Sequence, residues 1–143
     1  MSTRARPTRA IATRTLRLRP RGTRVKVSVG VPERDPESAN HDWRCPFHVS
    51  GLGEARVRYA YGIDAFQSLQ LALVGIRALL EPKRHQLKWD GGPLESAFPR
   101  MVPSGFGHDL TRRIEKFIDR EVKDLCRELE RKYRKRTVPK REA

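Results

Sequence analysis

The sequence predicts an α+β domain: an antiparallel β-meander of four to five strands packed on one buried helix, followed by a long C-terminal helix. Three observations lead to this class. Short segments between residues 11 and 61 alternate apolar and polar residues with the period of two that is typical of half-buried strands. Residues 64–80 are so apolar that a helix there needs cover on more than one side. Residues 109–135 repeat apolar side chains at spacings of three and four, as an amphipathic helix does.

Length and composition bound the possible functions. The chain has 143 residues, enough for one domain with a core of modest size, and its formal net charge is +14. An apolar run of about 18 residues, the length that crosses a membrane, does not occur in it. Its start lacks the apolar stretch of a secretion signal, and two cysteines form no disulfide framework. These features predict a cytoplasmic protein with no membrane partner.

The positive charge is concentrated at the two ends. Residues 1–26 hold nine Lys or Arg and no carboxylate, and residues 111–143 hold thirteen basic residues against seven acidic ones. Residues 27–110 are close to neutral. Basic ends of this kind suit a nucleic acid or an acidic protein partner, and the sequence leaves that choice open.

The domain boundaries follow from composition and periodicity. Residues 1–10 show no period and are expected to be a disordered basic tail. Residues 11–133 are expected to form a single α+β domain that includes the last helix, from about residue 109. Residues 134–143 are expected to be a second basic tail.

The first two predicted strands form a hairpin. In the first, which starts near Ile11, Leu16 and Leu18 alternate with arginines. Residues 20–23, with Pro and Gly, supply the turn. The apolar face of the second strand consists of Val25, Val27, Val29 and Val31.

A second predicted hairpin follows a polar loop over residues 32–42. The apolar set of its first strand consists of Trp43, Cys45, Phe47 and Val49. Pro46 within that strand indicates a sheet edge or a bulge, because proline has no N–H to donate to a neighbouring strand. In its second strand, the alternation assigns Tyr59 and Tyr61 to the core, with Ala55 and Val57, and turns the arginines outward.

The next helix is expected to organise the core. Asp64 is expected to cap its first amides, and Gln67 to reach back and close a capping box. Pro82 ends the helix, and Leu87 and Trp89 predict a short last strand. One broad helical arc is expected to be buried: Phe66, Leu69, Ala72, Leu73, Ile76, Leu79 and Leu80.

The remainder of the chain is a loop and a helix. Residues 90–107, rich in Gly and Pro, are too long for a structureless loop and are expected to pack across the surface. The final helix is expected to start at Asp109, as its cap, and to run to about Lys135. Its apolar stripe offers a surface for a dimer, although the oligomeric state is left open: Leu110, Ile114, Phe117, Ile118, Val122, Leu125, Leu129 and Tyr133.

The sequence predicts no enzyme, no cofactor and no metal site. Cys45 and His48 have a C-x-x-H spacing, but positions three apart on a strand face opposite sides, so a buried Cys and a surface His are expected. Ser104, His108 and Asp109 are neighbours in sequence, which is not the geometry of a catalytic triad. The larger aromatic residues are interpreted as core rather than as the lining of a ligand pocket.

Basic side chains form the candidate binding surface. They lie on the polar positions of the predicted strands, near the strand ends and at the end of the last helix: Arg17, Arg19, Arg24, Lys26, Arg44, Arg56, Arg58, Arg131, Lys132, Arg134, Lys135 and Arg136. Such side chains suit phosphates or an acidic partner. Since the tyrosines are assigned to the core, the sheet face is expected to lack base-stacking residues, and the basic ends are expected to dominate any nucleic-acid binding.

Several motifs carry a resemblance. Residues 42–47 read D-W-R-C-P-F, and residues 60–73 read A-Y-G-I-D-A-F-Q-S-L-Q-L-A-L. An L-K-W segment at 87–89 and an F-P pair at 98–99 follow. With these motifs, residues 24–101 resemble an uncharacterised bacterial family of small domains of unknown function. The resemblance implies no activity, cofactor or catalytic residue.

Two functions are compatible with these observations. The first is a non-catalytic cytoplasmic binding or regulatory module with a macromolecular partner. The second is a nucleic-acid-binding protein without sequence specificity, which uses the basic ends and the basic sheet face.

Overall fold

The computed structural model describes residues 9–103 and 105–137. These residues fall into two compact units, which divide between Arg100 and Met101 and are treated separately. The first is an antiparallel sheet with a helix packed on one face, and the second contains one long helix. The α+β class is confirmed. Most of the two predicted basic tails, and Ser104, lie outside the described residues.

Six strands, three α-helices and one 3-10 turn (Glu81–Lys83) make up the described chain. The strands are β1 (Ala10–Leu18), β2 (Thr23–Gly30), β3 (Glu33–Arg34), β4 (Trp43–Ser50), β5 (Val57–Gly62) and β6 (Leu87–Lys88). The helices are α1 (Ala65–Leu80), α2 (Leu94–Ala97) and α3 (His108–Thr137). All strand pairs are antiparallel, and β2 and β3 pair along the same side of β4. Across the sheet the order is therefore β5, then β4, then β2 and β3 together, then β1 (next to β2), and finally β6.

β4 is an internal strand, so the edge position suggested by Pro46 is wrong and the irregularity is right. Val29 of β2 lies opposite Phe47, and Glu33 of β3 lies opposite Arg44. The chain between Val29 and Glu33 therefore has one residue more than the stretch of β4 that it faces. Pro46 lies at this irregularity, where no regular ladder requires its missing N–H.

The core lies between α1 and one face of the sheet, called the inner face. Its buried apolar members are Leu16, Val25, Val27, Val29, Cys45, Phe47, Val49, Ala72, Ile76, Leu80, Leu87, Leu94 and Ala97. The predicted alternation of β1, β2 and β4 is thus confirmed. Val31, predicted to continue the β2 set, is exposed because it lies beyond the end of that strand.

The start of α1 is capped largely as predicted. Asp64 Oδ1 accepts a hydrogen bond from the Gln67 amide at 2.7 Å. Gln67 Oε1 accepts one from the Ile63 amide at 2.8 Å, one residue before the position expected for a capping box. Two amides at this helix end therefore have side-chain partners.

The buried arc of α1 differs from the predicted one. Ser68, Ala72 and Ile76 lie against the sheet, whereas Phe66 is 79% exposed and Leu73 is also exposed. The cause is close packing. A Cβ at Gly75 would lie 2.8 Å from the Phe47 ring, so α1 packs closely on the sheet at this point. Of the predicted arc, Ala72, Ile76 and Leu80 are buried as expected.

Two arginines form hydrogen bonds with the segment that follows β6 and hold it in place. Arg14 of β1 donates a hydrogen bond to the Ala97 carbonyl and lies over the Trp89 ring, 4.3 Å from its centroid. Arg77 of α1 donates to the Phe98 carbonyl at 2.9 Å. These guanidinium groups satisfy carbonyls at the end of α2, which a short helix leaves without partners. As far as Phe98, the segment predicted to pack across the surface is held to the rest of the first unit as expected.

The second unit contains α3, which begins one residue before the predicted start. Asp109 lies inside the first turn and pairs with Arg112 at 3.2 Å, so its predicted role as the cap is wrong. Most of the predicted apolar stripe is exposed. Among the described helices, including the 30 residues of α3, none is both long and apolar enough to cross a membrane.

Candidate functional site

The candidate site is the sheet face that points away from α1, called the outer face. Paired residues in an antiparallel sheet share a face, so the strand register assigns each position. The outer face carries Thr13, Thr15, Arg17, Arg24, Lys26, Ser28, Arg44, Pro46, His48, Ser50, Val57, Tyr59, Tyr61 and Lys88.

Tyr59 and Tyr61 lie on the outer face, so their assignment to the core was wrong. Tyr59 lies opposite Pro46 and is 40% exposed, and Tyr61 lies opposite Arg44 and is 53% exposed. The inner-face positions of β5 are instead occupied by Arg58, Ala60 and Gly62, of which the last two lie towards α1. The same register moves the tyrosines into the candidate site.

The close approach of α1 to β5 explains this orientation. A Cβ at Gly62 would lie 2.5 Å from the Ser68 amide nitrogen and 2.9 Å from the Gln67 Cβ. Only small residues fit beneath the helix at this point, so the alternating large residues take the other face. The signal was present in the sequence, because Ala60 and Gly62 share one parity of the strand and the tyrosines share the other.

Two arginines predicted for the outer face do not lie on it. Arg58 is opposite Phe47 on the inner face, and its guanidinium is 3.8 Å from the Glu54 carboxylate. Arg56 precedes β5 and is 3.4 Å from the same carboxylate. The predicted outer-face position of Arg58 is therefore wrong, and Glu54 offsets part of the charge of both arginines.

Arg44 lies on the outer face, but two carboxylates offset its charge there. Its guanidinium is 2.8 Å from Glu33 and 3.8 Å from Asp35. The hydrogen bond to Glu33 raises the pKa of Arg44 above its ordinary value. The same guanidinium lies over the Tyr59 ring, 4.5 Å from its centroid, and so helps to hold that ring in place.

The remaining outer-face cations cluster at the other end of the sheet. Arg17 lies opposite Arg24 on one side and Lys88 on the other, and Lys26 follows along β2. These four residues are called the basic group. Within residues 9–103 and 105–137, no carboxylate forms a salt bridge with any of them. Arg19, also predicted to contribute, is exposed just beyond the end of β1.

The middle of the outer face is buried. His48 is 5% exposed and lies opposite Ser28, which is also buried. The prediction of a surface His48 is therefore wrong. His48 and Cys45 do face opposite sides of β4. In the described part of the chain, no group of three or more His, Cys, Asp or Glu side chains is placed to hold a metal ion.

The two cysteines provide a test of the buried position of Cys45 in the core. Burial raises the pKa of Cys45 to about 11, whereas Cys126 on α3 is exposed. We expect a thiol reagent at about pH 8 to modify one cysteine per native chain and both after denaturation, because the thiolate is the reacting form. The Cys126→Ser variant isolates Cys45 and is expected to give no native reaction. Rapid modification of that variant would contradict the buried position of Cys45.

The other predicted contacts lie at the end of α3, in the second unit. They are Arg131, Lys132, Arg134, Lys135 and Arg136, all of which are exposed. No acidic residue occurs between 131 and 137. Residues 134–137, predicted to belong to a tail, continue the helix. This cationic segment is called the basic end of α3.

A family model describes more than half of the chain. Residues 12–100 match a domain of unknown function, DUF6968, and the chain belongs to this family. The matched range ends where the first compact unit ends, so α3 lies outside it. No curated protein and no solved structure matched the chain significantly.

Proposed function

We propose that this member of the DUF6968 family is a non-catalytic, cytoplasmic binding module whose outer sheet face binds single-stranded nucleic acid. The observation that carries the proposal is the outward position of Tyr59 and Tyr61 on a face that also holds the basic group. Exposed aromatic rings stack on bases, and nearby cations bind the backbone phosphates.

The layout of the outer face suits an extended strand. Tyr61 lies opposite Arg44, and Lys26 lies opposite Ser50 at the other end of β4. Six residues along β4 separate these two levels, which is about 20 Å at about 3.3 Å per residue. A short single strand can therefore stack on the tyrosines and place phosphates at the basic group.

The outward tyrosines reverse the ranking of binding surfaces expected from the sequence. From the sequence, the basic ends are expected to dominate, because the alternation assigns the tyrosines to the core and leaves the sheet face without stacking residues. With Tyr59 and Tyr61 outside, we expect the outer face to contribute more than the basic end of α3. The net charge of +14 favours either surface equally, since it attracts any polyanion.

The test compares a variant that lacks both aromatic rings with a variant that keeps them. The double variant Tyr59→Leu, Tyr61→Leu is expected to bind a fluorescent oligothymidine at least roughly 30-fold more weakly, since stacking contributes about 1–3 kcal/mol per base. The matched control, Tyr59→Phe with Tyr61→Phe, keeps both rings and is expected to bind like the unchanged protein. Fluorescence anisotropy at fixed salt measures both. Equal binding by the Leu and Phe variants would contradict the proposal.

Salt dependence separates the two cationic surfaces. Changing Arg17, Arg24 and Lys26 to Gln is expected to reduce the slope of log affinity against log salt by about 0.7 for each phosphate that the variant no longer neutralises. Changing Arg131, Lys132 and Lys135 to Gln is the matched control on α3, because it removes the same charge. A larger reduction in the control would assign binding to α3. Absence of binding at about 50 mM salt, where phosphate contacts are strong, would leave a protein as the partner.

A further inference from the structure

The edge of the sheet at β5 is open. β5 pairs with β4 on one side, and no strand of residues 9–103 or 105–137 pairs with its other side. An open edge presents a row of unpaired backbone N–H and C=O groups that another strand can join. Ile63, directly after β5, is 76% exposed.

The side of α1 next to this edge is apolar and also open. Gln67 marks that side, because it bonds the Ile63 amide and lies against Gly62 at the end of β5. Arg77, about a quarter of a turn around the helix from Gln67, reaches Phe98 instead. Three further residues follow Gln67 at intervals of four, three and four and therefore share its side: Leu71, Val74 and Ala78.

These four residues, Gln67, Leu71, Val74 and Ala78, are called the α1 seam. Leu71 and Val74 are each 43% exposed, and Ala78 is exposed. The spacing of four, three and four is the one with which two helices interlock side chains along a line. The seam starts beside the end of β5, where Gln67 lies against Gly62, so one partner can contact both the seam and the edge.

We infer that the partner is a second copy of this chain, related by a two-fold axis at β5. Residues opposite each other in an antiparallel pair share a face, and a two-fold interface must be complementary to itself. With Ala60 on the axis, Tyr59 lies opposite Tyr61 of the partner subunit. Val57 then lies opposite Ile63 of the partner subunit, so aromatic and apolar side chains pair across the interface.

Charge favours this register and this occupant. With Ala60 on the axis, Arg58 lies opposite Gly62 of the partner subunit rather than opposite another arginine. Just beyond the ends of β5, the same register brings Arg56 near Asp64 of the partner subunit, which carries the opposite charge. Between residues 54 and 78 the chain holds three basic and two acidic residues. The border is thus nearly neutral, whereas the excess of +14 lies mainly in the two ends, so two copies meet where their mutual repulsion is smallest.

The dimer does not depend on the proposed nucleic-acid binding, and its test measures mass. At about 100 µM, where even a micromolar dimer is formed, light scattering is expected to give twice the chain mass of 16.5 kDa. The variant Val74→Glu with Ala78→Glu places four carboxylates at the seam of a dimer and is expected to give the mass of one chain. Both positions are exposed, so the monomer is expected to keep its circular dichroism spectrum.

The matched control changes the apolar stripe of α3. Leu129→Glu with Tyr133→Glu adds the same charge at two exposed positions and is expected to remain a dimer. Hydrogen exchange of the unchanged chain gives an independent measurement, in which β5 amides are expected to lose protection on dilution. A monomer at every concentration would overturn the inference. A dimer that the α3 variant dissociates and the α1 variant does not would assign the interface to α3 and would overturn it as well.

Discussion

Replacing Ile76 with Asp is expected to abolish the cooperative unfolding of the first unit. Ile76 is fully buried in α1 against the inner face of the sheet. An unpaired carboxylate there costs several kcal/mol beyond the apolar packing that it removes, out of a total stability of about 5–15 kcal/mol for a domain. Urea titration followed by circular dichroism measures the loss of stability.

Phe66→Asp is the matched control for this prediction. Phe66 lies on the same helix and was predicted to be buried, but it is exposed near the helix N-terminus. A carboxylate in the first turn is favourable there, so the urea midpoint is expected to change little. Equal losses of stability for Phe66→Asp and Ile76→Asp would favour the arc predicted from the sequence over the one observed.

Adding a single methyl group at Gly62 is expected to cause the next largest loss of stability. The Cβ of Gly62→Ala would lie 2.5 Å from the Ser68 amide nitrogen, a backbone atom that cannot rotate away. Relief requires the start of α1 to move off β5, which would break the hydrogen bond between Gln67 and Ile63. We expect a loss of at least the roughly 1–3 kcal/mol typical of overpacking, measured as a lower urea midpoint.

Gly105→Ala provides the comparison. A Cβ at Gly105 meets nothing within 4 Å, so its urea midpoint is expected to match that of the unchanged protein. If Gly62→Ala unfolded at the same midpoint as Gly105→Ala, the close approach of α1 to β5 would be wrong. The explanation given for the outward tyrosines would then fail with it.

Local patterns predicted the elements but not which side of them is covered. The β1–β2 hairpin, the Asp64 cap and the short strand at Leu87 follow from turn residues, capping residues and alternation, which act over a few positions. Alternation divides the residues of β5 between two faces, but it does not indicate which face is buried. Tyr59 and Tyr61 have the larger apolar surface, so hydrophobicity alone assigned them to the core. Steric contact with α1 decided otherwise.

The candidate site was predicted in part for the same reason. Arg17, Arg24 and Lys26 were placed on the correct face because β1 and β2 have clear alternation. The neutralisation of Arg44 was missed, since its partner Glu33 belongs to a two-residue strand inside a polar loop. Pairing between distant segments of this kind leaves no periodic signal in the sequence.

The pairing of β1 with β6 has a consequence during synthesis of the chain. Leu18 ends β1 and Lys88 ends β6, so 70 residues separate the two strands in the sequence. At about 5–20 residues per second, a ribosome needs roughly 4–14 s to add them. During that time, the edge of β1 that faces away from β2 has no neighbouring strand. Along β1, Thr13, Thr15 and Arg17 face outward, and Arg14 adds a charge on the other face. Charged and polar strands resist pairing with other chains, so these side chains protect β1 against aggregation. They keep this role after β6 is made, because β6 pairs only with Arg17 and Leu18.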